Sequence, residues 1–147
     1  MAPRQSARTD LERQTYIALL QVAGELEREV VELLKTQGLS LAQYNVLRIL
    51  RGAGRDGATC SQVGGQLIKH DPDVTRLVDR LIRAGLVERA RDTRDRRVVR
   101  TSITEAGLKV LAELDDPMDA LHRRQLGHMS ESALQSLQQL LGAAGGR

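Results

Sequence analysis

The chain has 147 residues and a formal net charge of +3, a size that fits one domain with short extensions. Aromatic residues make up 1% of the chain and neither Trp nor Phe occurs, so the core must be aliphatic. No run approaches the roughly 20 apolar residues of a membrane span, no apolar segment follows the N-terminus as in a signal peptide, and a single cysteine, Cys60, excludes an intramolecular disulfide. We therefore expect a cytoplasmic globular protein that makes no membrane contact.

Three capping boxes, in which Ser or Thr is followed three residues later by Glu or Gln, mark helix starts in the first half of the chain. The first predicts a long helix over residues 9–37, after a loose tail of residues 1–8. The second predicts a helix from residue 41 to about residue 50. The third predicts a short helix to about Ile68, weakened by about 1 kcal/mol at each of Gly64 and Gly65. The pairs are Thr9 with Glu12, Ser40 with Gln43, and Thr59 with Gln62.

Asp71 and Pro72 form the next start signal, an N-cap followed by proline at the first helical position. This signal predicts a helix over residues 72–83. Two short strands over residues 86–91 and 98–103 follow, joined by a charged turn. A helix followed directly by a short hairpin is the pattern of a DNA-binding wing.

Thr104 caps a further predicted helix, which passes residue 114 and reaches up to about residue 125, with Pro117 as a site for a kink. Ser130 caps a last helix to residue 141, and residues 142–147 are predicted to be loose. The fold class that follows is mainly α with a small β-hairpin wing, a winged helix-turn-helix with additional helices at both ends.

The helix predicted over residues 72–83 presents one apolar and one polar face. It follows a short helix and a tight turn, the order in which the second helix of a helix-turn-helix enters the major groove. Arg76 would grip guanine there, while Asp73 either accepts a hydrogen bond from cytosine or only favours the helix dipole. The candidate DNA-binding residues of this helix are Pro72, Asp73, Thr75, Arg76 and Arg80.

Arginine is concentrated between residues 76 and 100, where nine arginines and four acids give a local charge of +5 while the remainder of the chain nets −2. Such a patch is typical of a surface that binds a polyanion. Arginines on a narrow hairpin reach into a minor groove, where the negative potential is enhanced. We therefore predict DNA contacts by Arg94, Arg96 and Arg97, with Asp92 and Asp95 fixing their directions by ion pairing.

Three segments resemble the MarR family of regulators, named for multiple antibiotic resistance: GLSLAQYNVLRIL, VTRLVDRLIRAGLVER and DTRDRRVVRTSITEAG. The resemblance centres on residues 39–107, which it implies are the winged helix-turn-helix DNA-binding region of one domain over residues 1–147. It also implies that residues 9–37 and 104–142 form dimerisation helices and that the dimer binds a palindromic operator. By the same resemblance, Arg76 is the base reader, and Arg96 or Arg97 is the wing arginine, supported by Arg94 and Asp92.

The apolar stripes of the terminal helices exceed what one small winged domain buries, which also indicates a homodimer. The resemblance implies control by small aromatic acids or by oxidation, so a phenolic effector is a candidate partner. Its pocket needs an arginine or hydroxyl beside apolar walls. Cys60 is either a thiol activated at a helix N-terminus or a small buried hydrophobe. The candidate ligand-binding residues are Arg13, Tyr16, Tyr44 and Arg48.

Other functional classes find less support in the residues. The histidines and Cys60 have no metal-ligand spacing, Gly64 and Gly65 lack the Lys and Ser/Thr of a phosphate loop, and no Ser-His-Asp pattern occurs, so we expect neither an enzyme nor a cofactor. An architectural DNA binder would rely on phosphate contacts, which Asp73 and Asp79 on the reading face disfavour. A protein-interaction module usually lacks the arginines kept here. The sequence predicts a sequence-specific repressor released by a ligand or by oxidation.

Overall fold

The computed structural model describes the backbone of residues 2–146 and the side chains of residues 6–146. Within them the chain forms six α-helices, one 3₁₀ turn and one antiparallel hairpin, which confirms the predicted mainly α fold with a small β wing. In chain order the elements are α1 (Ala2–Lys35), α2 (Leu41–Ala53), the 3₁₀ turn (Gly54–Asp56), α3 (Cys60–Gln66), α4 (Val74–Arg83), β1 (Val87–Arg91), β2 (Val99–Ile103), α5 (Glu105–Leu126) and α6 (Glu131–Ala144).

Four helices begin where their capping residues predict. Ser40 and Thr59 each accept a hydrogen bond from the backbone N–H three residues later, and the glutamine there accepts one in return from the cap residue. Thr104 and Ser130 cap α5 and α6 in the same way from the side-chain oxygen. These caps satisfy backbone donors that the first turn of a helix leaves without partners.

The two remaining helix starts differ from the prediction. α1 begins at Ala2 rather than at Thr9, because residues 2–8 contain no glycine and Pro3 falls in the first turn, where its missing N–H breaks no hydrogen bond. α4 begins at Val74, with Asp73 and not Asp71 as its N-cap. Asp71 Oδ1 instead accepts the backbone N–H of Asp73 at 2.8 Å, which holds Pro72 in a turn outside the helix.

Several helix ends also differ from the prediction: α1 stops at Lys35 instead of residue 37, and α2 continues to Ala53 instead of about residue 50. α3 stops at Gln66, short of Ile68. α6 continues through Gly142 to Ala144, so the predicted loose tail is wrong for residues 142–144, and Arg147 lies outside the described residues. α5 runs without interruption through Pro117 to Leu126.

The core lies where α2, α4 and α5 meet. Leu47 of α2, Leu81 of α4 and Leu111 of α5 are fully buried, and Leu34 near the end of α1 closes the cluster. By contrast, every side chain of residues 6–25 is exposed, so most of α1 extends beyond the core. None of the helices within residues 2–146 is both long and apolar enough to cross a membrane.

The wing is fixed at its root by two close backbone approaches. β1 and β2 pair from Val87 with Ile103 to Arg91 with Val99, and Ala58 adds a bridge to Thr101 on the other edge of β2. A Cβ atom at Gly57 would lie 2.3 Å from the carbonyl oxygen of Thr101, and one at Gly107 would lie 2.3 Å from that of Leu86. Only glycine fits at these two positions.

Candidate nucleic-acid interface

The exposed face of α4 carries cationic side chains that are free to bind an anion. Leu77, Val78 and Leu81 point into the core, and this packing turns Thr75, Arg76 and Arg80 outward. Across residues 6–146, no acidic side chain forms an ion pair with Arg76 or Arg80. Both guanidinium groups can therefore bind phosphates or base edges without first giving up an internal partner.

The start of α4 is held by aspartate rather than by proline. Asp73 Oδ1 accepts the backbone N–H of Arg76 at 3.0 Å, so the side chain of Asp73 caps the helix at the edge of its exposed face. Pro72 is exposed just before the helix. The capping hydrogen bond gives Asp73 a structural role at the position where the first residues of a reading helix approach DNA.

An ion pair that the sequence reasoning missed joins α4 to the wing. Arg89 Nη2 of β1 lies 2.7 Å from Asp79 Oδ1 on α4. The pair offsets the acidic charge of Asp79 on the otherwise cationic side of α4, and it ties the helix to the hairpin. Both residues lie in the arginine-rich segment, but their proximity depends on how β1 folds back along α4, which no local pattern encodes.

Asp92 organises the turn of the wing. Its Oδ1 accepts the backbone N–H groups of Arg94 at 2.7 Å and Asp95 at 3.3 Å, and its Oδ2 accepts Arg100 Nε at 2.7 Å. The Arg100 hydrogen bond, followed by the two backbone hydrogen bonds, lowers the pKa of Asp92 to about 2. Asp92 is therefore charged at neutral pH and ties the turn to the adjoining end of β2.

The wing arginines fall into two groups. Arg97 donates to Asp95 from its backbone and its guanidinium, at 3.1 to 3.3 Å, and these hydrogen bonds lower the pKa of Asp95. Arg94 and Arg96 are exposed, and within the described part of the chain neither forms an ion pair. The two unpaired side chains are thus available for a partner, while the direction of Arg97 is set within the turn.

A polar cleft of about 560 Å³ continues the basic surface on the side of the 3₁₀ turn. It lies between Arg55 and Asp56 of that turn and Arg91, Arg94 and Arg100 of the wing. The cationic groups therefore extend from the tip of the hairpin to its base, as expected for a surface that follows a phosphate backbone.

A second, apolar cavity of about 420 Å³ lies between α1, α2, α5 and the segment that joins α3 to α4. Val30, Leu41 and Met118 are among its apolar walls. Its polar side chains come from four different parts of the chain, and the combination suits an amphipathic small molecule. These side chains are Glu27, Ser40, Tyr44, Asn45, Arg48, Lys69 and His122.

Of the four candidate ligand-binding residues, two line this cavity. Tyr44 is buried, burial raises the pKa of its phenol, and the guanidinium of Arg48 lies 5.8 Å from the centre of the Tyr44 ring. Arg13 and Tyr16 lie on the exposed first part of α1, away from the cavity walls, and Arg13 pairs with Asp10. Glu27, Lys69 and His122 were missed because they lie on α1, on the segment between α3 and α4, and on α5, which come together only in the folded chain.

Cys60 is the first residue of α3, where it is half-buried and packs against the core cluster. Among residues 6–146, no group of three His, Cys, Asp or Glu side chains is arranged to hold a metal ion. The described structure also combines a cationic surface on α4 and the wing with a separate amphipathic cavity.

Comparison with known proteins adds independent evidence. A family model described as the MarR family matches residues 39–99. The chain is 28% identical over 123 residues to the HTH-type transcriptional repressor IacR of Pseudomonas putida, covering 84% of this chain and 72% of that protein. The crystal structure of a MarR transcription factor from Planctomyces limnophilus is 37% identical, with a TM-score of 0.69, over 89% of this chain and 95% of that one. A mutant of MarR from E. coli, solved with operator DNA, is 24% identical, with a TM-score of 0.77 over 86% and 90%.

Proposed function

Because the chain belongs to the MarR family of winged helix-turn-helix transcriptional regulators, which are DNA-binding proteins and not enzymes, we propose that it is a dimeric repressor of a palindromic operator. The single observation that supports DNA binding is a set of exposed arginines without ion pairs in the described part of the chain. They are Arg76 and Arg80 on α4, and Arg94 and Arg96 on the wing. Repression is supported by the similarity to the transcriptional repressor IacR of Pseudomonas putida. We propose that the protein acts in the cytoplasm, where it has access to DNA.

The homodimer is supported by apolar side chains with nothing to pack against. Leu11, Ile17 and Leu20 of α1 are 64%, 44% and 55% exposed, and Leu140 of α6 is 68% exposed. Apolar side chains spread along two terminal helices favour burial against a second copy. Two reading helices related by a twofold axis would then meet half-sites about one helical turn apart. Within this proposal, residues 39–107 are the DNA-binding region and the helices outside them form the dimer.

Release by a small ligand is supported by the apolar cavity between α1, α2, α5 and the segment that joins α3 to α4. Its size suits a one-ring or two-ring molecule. Arg48 and Lys69 offer cations to a carboxylate, Tyr44 offers a hydroxyl, and Leu41 and Met118 offer apolar walls. We therefore propose an aromatic acid or phenol as the effector. Oxidation is the second route, and it would act through Cys60.

The test is a fluorescence-anisotropy titration of the protein against the intergenic DNA upstream of its own coding region, with random DNA as the control, at about 150 mM salt. A preference of at least about a thousandfold for the intergenic DNA is the expected result. Equal affinity for both DNAs would contradict the proposal and favour an architectural binder. In the same assay, phenolic acids and hydrogen peroxide are added separately, and a Cys60→Ser variant should remain responsive to the acids.

A further inference from the structure

An ion pair links α1 to the segment that leads into the reading helix. Lys69 Nζ lies 2.7 and 2.8 Å from the two carboxylate oxygens of Glu27, a residue of α1. Lys69 belongs to the linker of residues 67–73 between α3 and α4. The preceding backbone N–H, that of Ile68, donates to Asn45 Oδ1 of α2 at 2.8 Å. Two consecutive linker residues are thus held by two different helices.

The linker sets where α4 begins. Asp71, two residues after Lys69, accepts the N–H of Asp73, and Asp73 caps the first turn of α4 at Arg76. Both of these hydrogen bonds run from a backbone N–H to an aspartate side chain, and only His70 separates Asp71 from Lys69, as only Pro72 separates it from Asp73. A displacement of Lys69 away from α1 would therefore move the start of α4, where the exposed Thr75 and Arg76 lie.

The same ion pair forms part of the wall of the apolar cavity proposed as the effector site, where Glu27 and Lys69 lie with Arg48. An occupant with a carboxylate is attracted by the two cations and repelled by Glu27. Its carboxylate and that of Glu27 compete for the same ammonium group, because both form the same charge-assisted hydrogen bond. An anion in the cavity therefore weakens the ion pair, and the intact ion pair weakens binding of the anion.

Building on the proposed function, we infer that Glu27 and Lys69 form a latch that positions α4 for DNA, and that an anionic occupant of the cavity opens it by replacing Glu27 as the partner of Lys69. The latched form is the DNA-binding form. Linkage makes the effect reciprocal: operator DNA weakens binding of the anion by the same factor by which the anion weakens binding of DNA.

The first experiment measures amide hydrogen exchange of residues 67–73 in the full chain without DNA. Glu27→Gln should speed exchange in this linker, and the charge-swapped double variant Glu27→Lys with Lys69→Glu should restore protection. Glu29→Gln is the control, since Glu29 is an exposed residue of the same helix outside the cavity wall. Unchanged exchange in Glu27→Gln would overturn the latch, whatever the protein does with DNA.

The second experiment compares operator affinities. By electrostatics alone, removing an acidic charge tightens binding to DNA. The latch predicts the opposite for Glu27→Gln, a loss of about two- to twentyfold, since a dimer contains two exposed ion pairs of modest strength. Glu29→Gln should bind the operator as tightly as the wild type or slightly more tightly. Equal or tighter binding by Glu27→Gln would overturn the inference.

The third experiment uses salicylate as the anionic probe and salicylamide as its neutral counterpart, with calorimetric titration of the protein with and without operator DNA. Glu27→Gln should bind salicylate more tightly than the wild type, and Lys69→Met more weakly, while the affinity for salicylamide changes little. Equal affinities of the wild type and the two variants for salicylate would overturn the inference that an anion opens the latch. A wild type that has no preference for its operator would refute the proposed function, and the exchange experiment would still decide on the latch.

Discussion

The winged region, residues 39–107, buries its apolar side chains differently from the helical arms, which are residues 6–25 of α1 together with α6. In the winged region, residues such as Leu47, Leu50 and Leu81 are completely buried by neighbours in the same chain. In the arms, side chains of the same type remain exposed, as at Leu20 and Leu140. The first region has a core built within one chain, whereas the proposed dimer would bury the apolar side chains of the arms against a second copy.

The difference has a counterpart within α1 itself. Its last third packs into the core through Leu34, with Val30 and Leu33 beside it, while all side chains of residues 6–25 are exposed. One continuous helix therefore belongs to both regions. Glu27 lies where the exposed part of α1 gives way to the part that packs into the core.

Charges placed on the exposed part of α1 test whether this arm packs against a second copy of the chain. We expect the double variant Ile17→Glu with Leu20→Glu to weaken the dimer by at least about 4 kcal/mol, roughly a thousandfold in dissociation constant, because four apolar side chains per dimer lose their burial. Sedimentation velocity across a concentration series measures this change. Thr15→Glu, which adds charge at another exposed position of α1, should leave most of the dimer intact. A double variant that remains dimeric at nanomolar concentration would place the interface elsewhere.

A core substitution tests whether the winged region is stabilised by packing within one chain. Leu50 is fully buried in α2, and Leu50→Ala should lower the free energy of unfolding by about 2–5 kcal/mol, since it leaves a cavity among packed side chains. Urea denaturation monitored by circular dichroism measures the loss. The loss should remain when the experiment is repeated in the monomeric arm variant, because the core of the winged region lies within one chain.

Within the winged region, the unpaired arginines should matter for DNA and not for folding. Arg76→Ala should weaken operator binding by about 1–3 kcal/mol and relax the preference at one base pair, with little change in the unfolding midpoint. Competition titrations with operators altered at single positions measure both effects. Arg83→Ala, on the last turn of the same helix, serves as a matched control. A uniform loss across all sequences would make Arg76 a phosphate contact instead of a base reader.

The smallest expected effect concerns the wing turn. Asp92→Asn retains an oxygen for the backbone N–H of Arg94 but loses the charge that holds Arg100, so operator affinity should fall by only a few-fold, as for a partly buried ion pair that solvent still reaches. The unfolding midpoint at pH 7 should change little. An unchanged operator affinity would mean that the wing does not depend on this ion pair.

The pH dependence of the wing follows from the same carboxylate. The pKa of Asp92 in the folded chain is about 2, below the ordinary value of 3.8, so its charge stabilises the folded turn at every pH above about 4. That stabilisation is lost as the pH falls from about 4 to about 2. The amide resonances of Arg94 and Asp95 should therefore remain constant from pH 8 to pH 4.5 and shift only below that. A transition near pH 6 would contradict the assigned network.

How far the sequence predicts the structure depends on the range of the interactions. The caps at Ser40, Thr59 and Thr104 were predictable because each involves residues three positions apart. The start of α4 was not, because Asp71 and Asp73 have the same capping chemistry and only the turn at Pro72 decides between them. For a similar reason the length of α1 was underestimated, since a strong capping pair inside a helix does not stop the helix from starting earlier.

The candidate site shows the same limit at a larger scale. The positively charged reading surface was visible in the sequence, because α4 and the wing are adjacent in the chain and both are rich in arginine. The cavity was only half visible, through Tyr44 and Arg48 on one helix. Its other polar residues, Glu27, Lys69 and His122, are up to 95 positions apart in the chain, and they meet only because three helices and a linker cross at one place.

The two glycines at the root of the wing also bear on how such a protein changes over time. Gly57 and Gly107 leave no space for any side chain, so substitutions there disturb the attachment of the hairpin. Arg94 and Arg96 at the tip are exposed and unpaired, so they can be exchanged without disturbing anything that holds the chain together. Substitutions at the tip can therefore change the charge that the wing presents to a partner without loosening the attachment of the hairpin.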